Sequence, residues 1–170
     1  MRPTSTILLV TGAALALAAC SKKAPEALPP APADTTQQTT PPQPSQTGVT
    51  PGSQADFVAS VTSDHILFDT DQSDVDAEDQ AILRSQAEWL TRYPSKRATI
   101  EGHADERGTR EYNLALGERR ANSAKNYLAS LGIDAGRLST ISYGKERPVA
   151  LGSDEASWAQ NRRAVTVTID

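Results

Sequence analysis

The fold is decided by Arg97-Ala-Thr-Ile-Glu-Gly-His103, Ala104-Asp-Glu-Arg-Gly108 and the following run from Thr109 to Gly132. The first segment, centred on Ile100, reads as a strand. The second is a polar connection. The third predicts a helix over about 109–130 with a core face of Leu114, Ala121, Ala124, Leu128 and Leu131, ended by Gly132 as its C-cap. Strand, tight loop and long helix make a βα unit. Upstream, Ile66-Leu67-Phe68 reads as a strand, and Asp76 caps a helix running to about Tyr93 that Pro94 stops. Downstream, Leu138–Tyr143 is a third strand and 155–161 a short helix. Ala164-Val-Thr-Val-Thr-Ile169 alternates strictly, so one face is apolar and the other carries threonines. A strand with a polar second face implies helices on one side only. The expected class is therefore α+β: a two-layer βαβαβ-type sandwich, a mixed sheet with helices on one face. There are no internal repeats.

This reading accounts for residues 57–170. All eight aromatic residues lie there, whereas eight of the eleven prolines fall between Pro25 and Pro51. The intervening Ala, Thr, Gln and Ser cannot bury enough surface to offset their ordering entropy. Residues 20–56 are expected to be a disordered, polyproline-like tether, reaching roughly 110 Å when extended. Ahead of it, Met1-Arg2, the apolar run 7–19 and Leu17-Ala-Ala-Cys20 read as a cleaved leader, residues 1–19. The run is too short to span a bilayer. The ending resembles a bacterial lipobox, which implies that Cys20 becomes the first mature residue and carries acyl chains. Stable anchoring takes more than one chain. Ser21, where an Asp would favour inner-membrane retention, is consistent with sorting to the outer membrane.

Composition excludes several function classes. A net charge of −4 gives no excess of cations for general nucleic-acid binding. One cysteine excludes an internal disulfide and a Cys-only zinc site. His103 and Asp105 are too few ligands for a protein zinc site, His65 is the only other histidine, and no nucleophile–base–orienter set is evident. Neither an enzyme nor a cofactor is expected.

The chemistry concentrates near the second strand and its helix. Asp105 follows the strand in a loop. Asn113, Leu116 and Arg120 share a helical stripe, about one residue out of phase with the core face, so the helix could pack on one side and offer that stripe on another. An Asp suits an ammonium, and the fork of an Arg suits a carboxylate. The pair could hold the two charges of a zwitterion or could form a simple surface salt bridge. Arg162 and Arg163 are either structural or partner-facing, and Tyr112, Trp89 and Trp158 read as core or rim packing.

Glu101-Gly-His-Ala-Asp-Glu-Arg-Gly-Thr109, Tyr112-Asn113, Leu116-Gly-Glu-Arg-Arg-Ala121, Tyr143-Gly-Lys-Glu-Arg-Pro148, Asn161-Arg-Arg-Ala164 and Phe68-Asp69 together resemble the OmpA C-terminal-like family, in its lipid-anchored, peptidoglycan-associated branch, over about residues 60–170. The resemblance implies non-covalent peptidoglycan binding. Asp105 and Arg120 would grip the free end of meso-diaminopimelate in the stem peptide, with Phe68, Asp69, Thr70, Asn113 and Leu116 lining the pocket. It also implies TolB as a periplasmic partner within the Tol-Pal system, and an outer-membrane protein that tethers that membrane to the cell wall and supports envelope integrity and constriction at division.

Overall fold

The computed structural model describes residues 48–169. The leader, Cys20 and the tether up to residue 47 lie outside the described residues. Four strands form one sheet: β1 (His65–Leu67), β2 (Arg97–His103), β3 (Leu138–Gly144) and β4 (Arg163–Ile169). Their order is β1-β4-β2-β3, with β4 antiparallel to both neighbours and β2 parallel to β3. The sheet is mixed, as expected. The helices are α1 (Gln54–Ser60), α2 (Ala77–Arg92), α3 (Arg110–Ser130) and α4 (Glu155–Asn161).

Local chemistry explains the helix ends. The Asp76 carboxylate accepts the Asp79 N–H, and Glu78 and Asp79 sit in the first turn of α2, where acids complement the helix dipole. At the end of α3, Gly132 adopts φ +96°, and the N–H groups of Gly132 and Ile133 donate to the carbonyls of Ala129 and Leu128. This is a Schellman motif, which needs the left-handed residue that glycine supplies.

Three expectations are corrected. First, helix α1 crosses the domain start expected at 57. Ser53 caps it, while Asp56 accepts the Gly52 N–H and the Trp89 indole N–H. This reciprocal cap seats Phe57 edge-on against Trp89, ring centres 5.1 Å apart. Second, the faces of β4 are reversed. Thr166 is buried on the helix side, in line with Ile100 and Gly102, and its hydroxyl donates to Gln86 Oε1 at 2.7 Å. Thr168 bonds Gln54 of α1. A threonine can face helices when glutamines satisfy it, and Val165 and Val167 are left half-buried on the other face. Third, the buried stripe of α3 is Asn113, Leu116, Gly117, Arg120, Ala121, Ala124 and Leu128. Leu131 is exposed. The stripe expected to be offered outward is the packed one.

The core joins Ile66, Leu83, Leu90, Ile100, Ala121, Leu128 and Leu138 with Phe57 and Trp89. One close approach sets the position of α3. A side chain on Gly102 would run into the carbonyl of Gly117, and one on Gly117 into Ser142 and Gly102. Strand β2 and helix α3 therefore meet backbone to backbone, which only paired glycines allow.

Candidate functional site

That close approach brings three segments together: the loop after β2, the first turns of α3, and the loop after β1. The loop 104–109 is pinned from several sides. Ala104 N–H donates to Gly144 O, Asn113 Nδ2 donates to Arg107 O at 2.7 Å, and Lys145 Nζ donates to the carbonyls of Glu106 and Gly108. Thr109 caps α3 by accepting the Tyr112 N–H. The loop after β1 turns at Asp69–Gln72, with Asp71 at φ 57° and its carboxylate accepting from Tyr112 Oη at 3.2 Å. A left-handed aspartate is uncommon, and such residues gather at binding sites.

Between these loops lies a cleft of about 250 Å³, lined by Thr70, Asp71, Asp105, Arg107, Gly108, Tyr112, Asn113 and Leu116. Asp105 is buried at 7% exposure. Arg107 Nη2 donates to its Oδ2 at 2.6 Å, Arg107 Nε to its Oδ1 at 3.1 Å, and the Arg107 N–H to Oδ1 at 3.0 Å. Arg162 Nη1 stands 3.6 Å away. Burial pushes the Asp105 carboxyl up, but the bonds from Arg107 and the Arg107 and Arg162 charges outweigh it and hold the group below the usual carboxylate range. The site therefore keeps a buried anion at neutral pH.

Arg120 lies beneath this cleft with no exposed surface. Its Nε donates to Gln72 O at 2.9 Å, Nη1 to His103 O at 2.8 Å and Nη2 to Asp69 O at 3.0 Å. The Phe68 ring stacks near its guanidinium, 5.2 Å from centre to Cζ. Burial and the Arg162 charge pull Arg120 down to about 10, so it stays charged at neutral pH. One guanidinium thus ties the end of β2 to the loop after β1.

The sequence-derived residues divide three ways. Asp105, Thr70, Asn113 and Leu116 meet at the cleft wall. Phe68 and Asp69 instead line a neighbouring groove of about 630 Å³ with Asp74, Asp76, Glu78, Asp79 and Arg162. Arg120 lines neither. Asp71, Arg107, Gly108 and Tyr112 were missed as wall residues. Arg107 and Gly108 sit in the motif run itself, but nothing in the sequence marks Asp71. His103 stays outside the cleft. Its ring is buried beside Tyr143, and burial with the Arg163 and Arg147 charges pushes it down to about 4, leaving a neutral imidazole. Arg162 and Arg163 are both buried and bond carbonyls, Arg162 that of Phe68 and Arg163 those of Asn161 and Arg147. Trp89 packs in the core, and Tyr112 stands exposed on the rim.

Comparison with known proteins fits this geometry. The model of the OmpA family matches residues 67–162, more than half of the chain and both cleft-forming loops. The chain belongs to the OmpA family. Within that family, it is 60% identical over 118 residues to the peptidoglycan-associated lipoprotein of Agrobacterium fabrum, a match covering 69% of this chain and 66% of that relative. It is 50% identical over 100 residues to the protein of the same name from Haemophilus influenzae, covering 59% of this chain and 65% of the relative. The chain thus spans about two thirds of the length of these relatives. Among solved structures, the peptidoglycan-associated lipoprotein from Burkholderia pseudomallei is 45% identical with a TM-score of 0.62, covering 66% of this chain and 93% of that one. The C-terminal domain of Helicobacter pylori MotB, 18% identical with a TM-score of 0.59 over 63% of this chain and 84% of that one, shares the OmpA-family fold.

Proposed function

We propose that this OmpA-family chain binds peptidoglycan without cutting it and links the outer membrane to the cell wall. Acyl chains on Cys20 would hold one end at the membrane, the tether would span the gap, and the cleft beside β2 would take the stem peptide. The observation that carries this reading is Asp105: a buried carboxylate kept ionised at the wall of an open cleft. Such a group suits an ammonium, and the free end of meso-diaminopimelate offers an ammonium and a carboxylate on one carbon. The names of the relatives point to the same polymer.

Asp105 is the group that meets the ammonium. Arg120 braces the cleft from below, because its guanidinium is spent on three carbonyls, and a direct grip on a ligand carboxylate would cost it one of these bonds. Asn113 fixes the loop that carries Asp105, while Thr70 and Leu116 complete the wall. Phe68 and Asp69 act through the loop they begin. The partner TolB and a place in the Tol-Pal system, with its part in envelope integrity and constriction, belong to the same reading and rest on the family resemblance.

Titration calorimetry of the full chain tests the reading. The ligand is a muropeptide containing meso-diaminopimelate, and the control is the same stem with lysine, which lacks the second carboxylate. The expected result is clear preference for the diaminopimelate form, with sacculi left intact. Equal or absent binding to both would overturn it, as would release of soluble fragments.

A further inference from the structure

The sheet has two faces, and the helices take one. Gly102 meets α3, Thr166 bonds Gln86 of α2, and Thr168 bonds Gln54 of α1. Alternation sends the residues between them to the other face. One end of that face is closed by the segment after β3. There the Arg147 guanidinium lies 3.6 Å from the centre of the Tyr143 ring, and the Arg147 carbonyl accepts from buried Arg163. The rest is open among the described residues. Around Thr99 it presents half-buried Val165 and Val167, with Ile169 at 39% and Ile141 at 41% exposure. In sandwiches, branched side chains on such a face pack against a second sheet.

Two charges frame the patch. Arg97 and Glu101 lie on β2 on either side of Thr99 and point to the same face. Arg97 is exposed, and its guanidinium has no hydrogen-bond or ion-pair partner among the described residues. Glu101 keeps 23% of its side chain exposed. The ring nitrogen nearest it, His103 Nε2 at 3.7 Å, belongs to a neutral imidazole, and the Arg163 charge it feels is buried and bonded to carbonyls.

The register fixes what a second copy would meet. Thr99 stands beside Val167, Arg97 beside Ile169 and Glu101 beside Val165. A two-fold axis laid between two such faces, across the strands along the Thr99–Val167 row, reverses the strand direction. Thr99 and Val167 then face their own counterparts, Ile169 faces Val165, and Arg97 faces Glu101. The contact is the same from either copy, so one patch supplies two ion pairs and a continuous apolar row. Stacking with the strands parallel would instead set Arg97 on Arg97 and Glu101 on Glu101. We propose that this open face joins two copies of the chain in the antiparallel stacking, with Arg97 of one copy paired to Glu101 of the other. The face lies across the sheet from α3, whose first turns wall the cleft, so pairing leaves that wall uncovered. Because the axis reverses the strands, the pair carries its two clefts at opposite ends. Pairing does not depend on what the cleft binds. The patch is short, and an interface below about 1,200 Å² in total makes weak, transient pairs.

Sedimentation equilibrium of the full chain, from about 10 µM to about 1 mM, reads the pairing. Wild type is expected to pass from one copy to two within that range. Arg97→Glu puts acid at both ends of the row and Glu101→Arg puts base at both. Each variant alone is expected to pair at least about tenfold more weakly, since like charges then face each other. An equimolar mixture of the two is expected to regain wild-type strength, because each acidic face meets a basic one. Val167→Glu sets a charge against its own counterpart on the axis and is expected to abolish pairing. It stands in for Glu101→Arg if the added charge beside Arg163 unfolds that variant, and urea unfolding of each variant separates lost pairing from lost fold. Four results overturn the proposal: a wild type that stays single at about 1 mM, pairing that survives Val167→Glu, pairing that Arg97→Glu leaves unchanged, or a mixture of folded variants no stronger than its components.

Discussion

Asp105 and Asp79 are buried carboxyls on either side of the loop that follows β1, and they are held in opposite ways. Asp105 has Arg107 on both its oxygens and Arg162 nearby, and its carboxyl is held below the ordinary range. Asp79 has acids for neighbours. Burial, and then the charge of Asp76, push it up to about 6, with only partial relief from the N–H groups it accepts. The two carboxyls therefore shift in opposite directions, and the clefts differ in lining. One holds Asp105 as a buried anion with the part-exposed Arg107 guanidinium against it. The other carries Asp69, Asp74, Asp76, Glu78 and Asp79, with its Arg162 turned to a carbonyl, to Glu155 and to Asp105. Burial alone does not make a carboxylate useful for binding a cation. What decides is which charges stand beside it.

The largest expected effect falls on the bracket that ties the loop after β1 to the end of β2. Arg120→Ala removes the bracket across the carbonyls of Asp69, Gln72 and His103 and leaves buried acceptors unmet, at about 1–3 kcal/mol for each. A loss of about 3 kcal/mol or more in urea unfolding is expected, together with loss of ligand binding. A stable Arg120→Ala that only fails to bind would reassign Arg120 from brace to direct ligand contact.

Much of this was readable in advance. Asp76 and Gly132 mark helix ends by their capping chemistry, and the periodicity around Ile100 and Leu128 fixes β2 and α3. The motif run from Glu101 to Ala121 marks the loop and helix that line the cleft, and Asp105, Thr70, Asn113 and Leu116 share one cleft wall. Three features stayed hidden for physical reasons. Helix α1 lies at the edge of a proline-rich stretch, and its long-range pairing with Trp89 and with Thr168 of β4 makes it worth forming. The inward stripe of α3 includes Asn113 and Arg120, polar residues that hydropathy assigns outward. They are buried because carbonyls across the fold accept their protons. Arg107 looks like one more surface charge until its two bonds to Asp105 are seen.

The next effect separates the two carboxyls by pH. A raised acid pKa means that the folded state binds its proton more tightly than the unfolded chain does. Asp79 therefore costs stability as pH rises from about 4 through its folded value of about 6. Asp79→Asn is expected to be more stable than wild type by about 1–3 kcal/mol at pH 8 and to lose that advantage near pH 4, measured by denaturation at both. Asp105 has the opposite sign. Its lowered pKa adds stability above the ordinary carboxylate range, which is lost as pH falls through its folded value. An Asp79→Asn advantage that is the same at both pH values would break the contrast.

The smallest effect sharpens it. Removing the Arg107 charge lets burial act on Asp105 with less opposition, so its carboxyl moves up in Arg107→Gln. Ligand binding by that variant should then fade at a higher pH than in wild type as the medium is acidified. Coincident acid limits would mean that Arg107 does not govern the ionisation of Asp105.

The most direct test of the central claim compares wild type and Asp105→Ala, with calorimetry against the diaminopimelate muropeptide and urea unfolding in the same buffer. The account predicts an affinity loss of about 2–5 kcal/mol, since the ligand ammonium would lose its partner in a partly desolvated cleft. It predicts a smaller change in unfolding free energy, because Arg107 can return to water and buried Arg162 keeps its bonds to the Phe68 carbonyl and Glu155. An affinity within tenfold of wild type, with the fold intact, would contradict it.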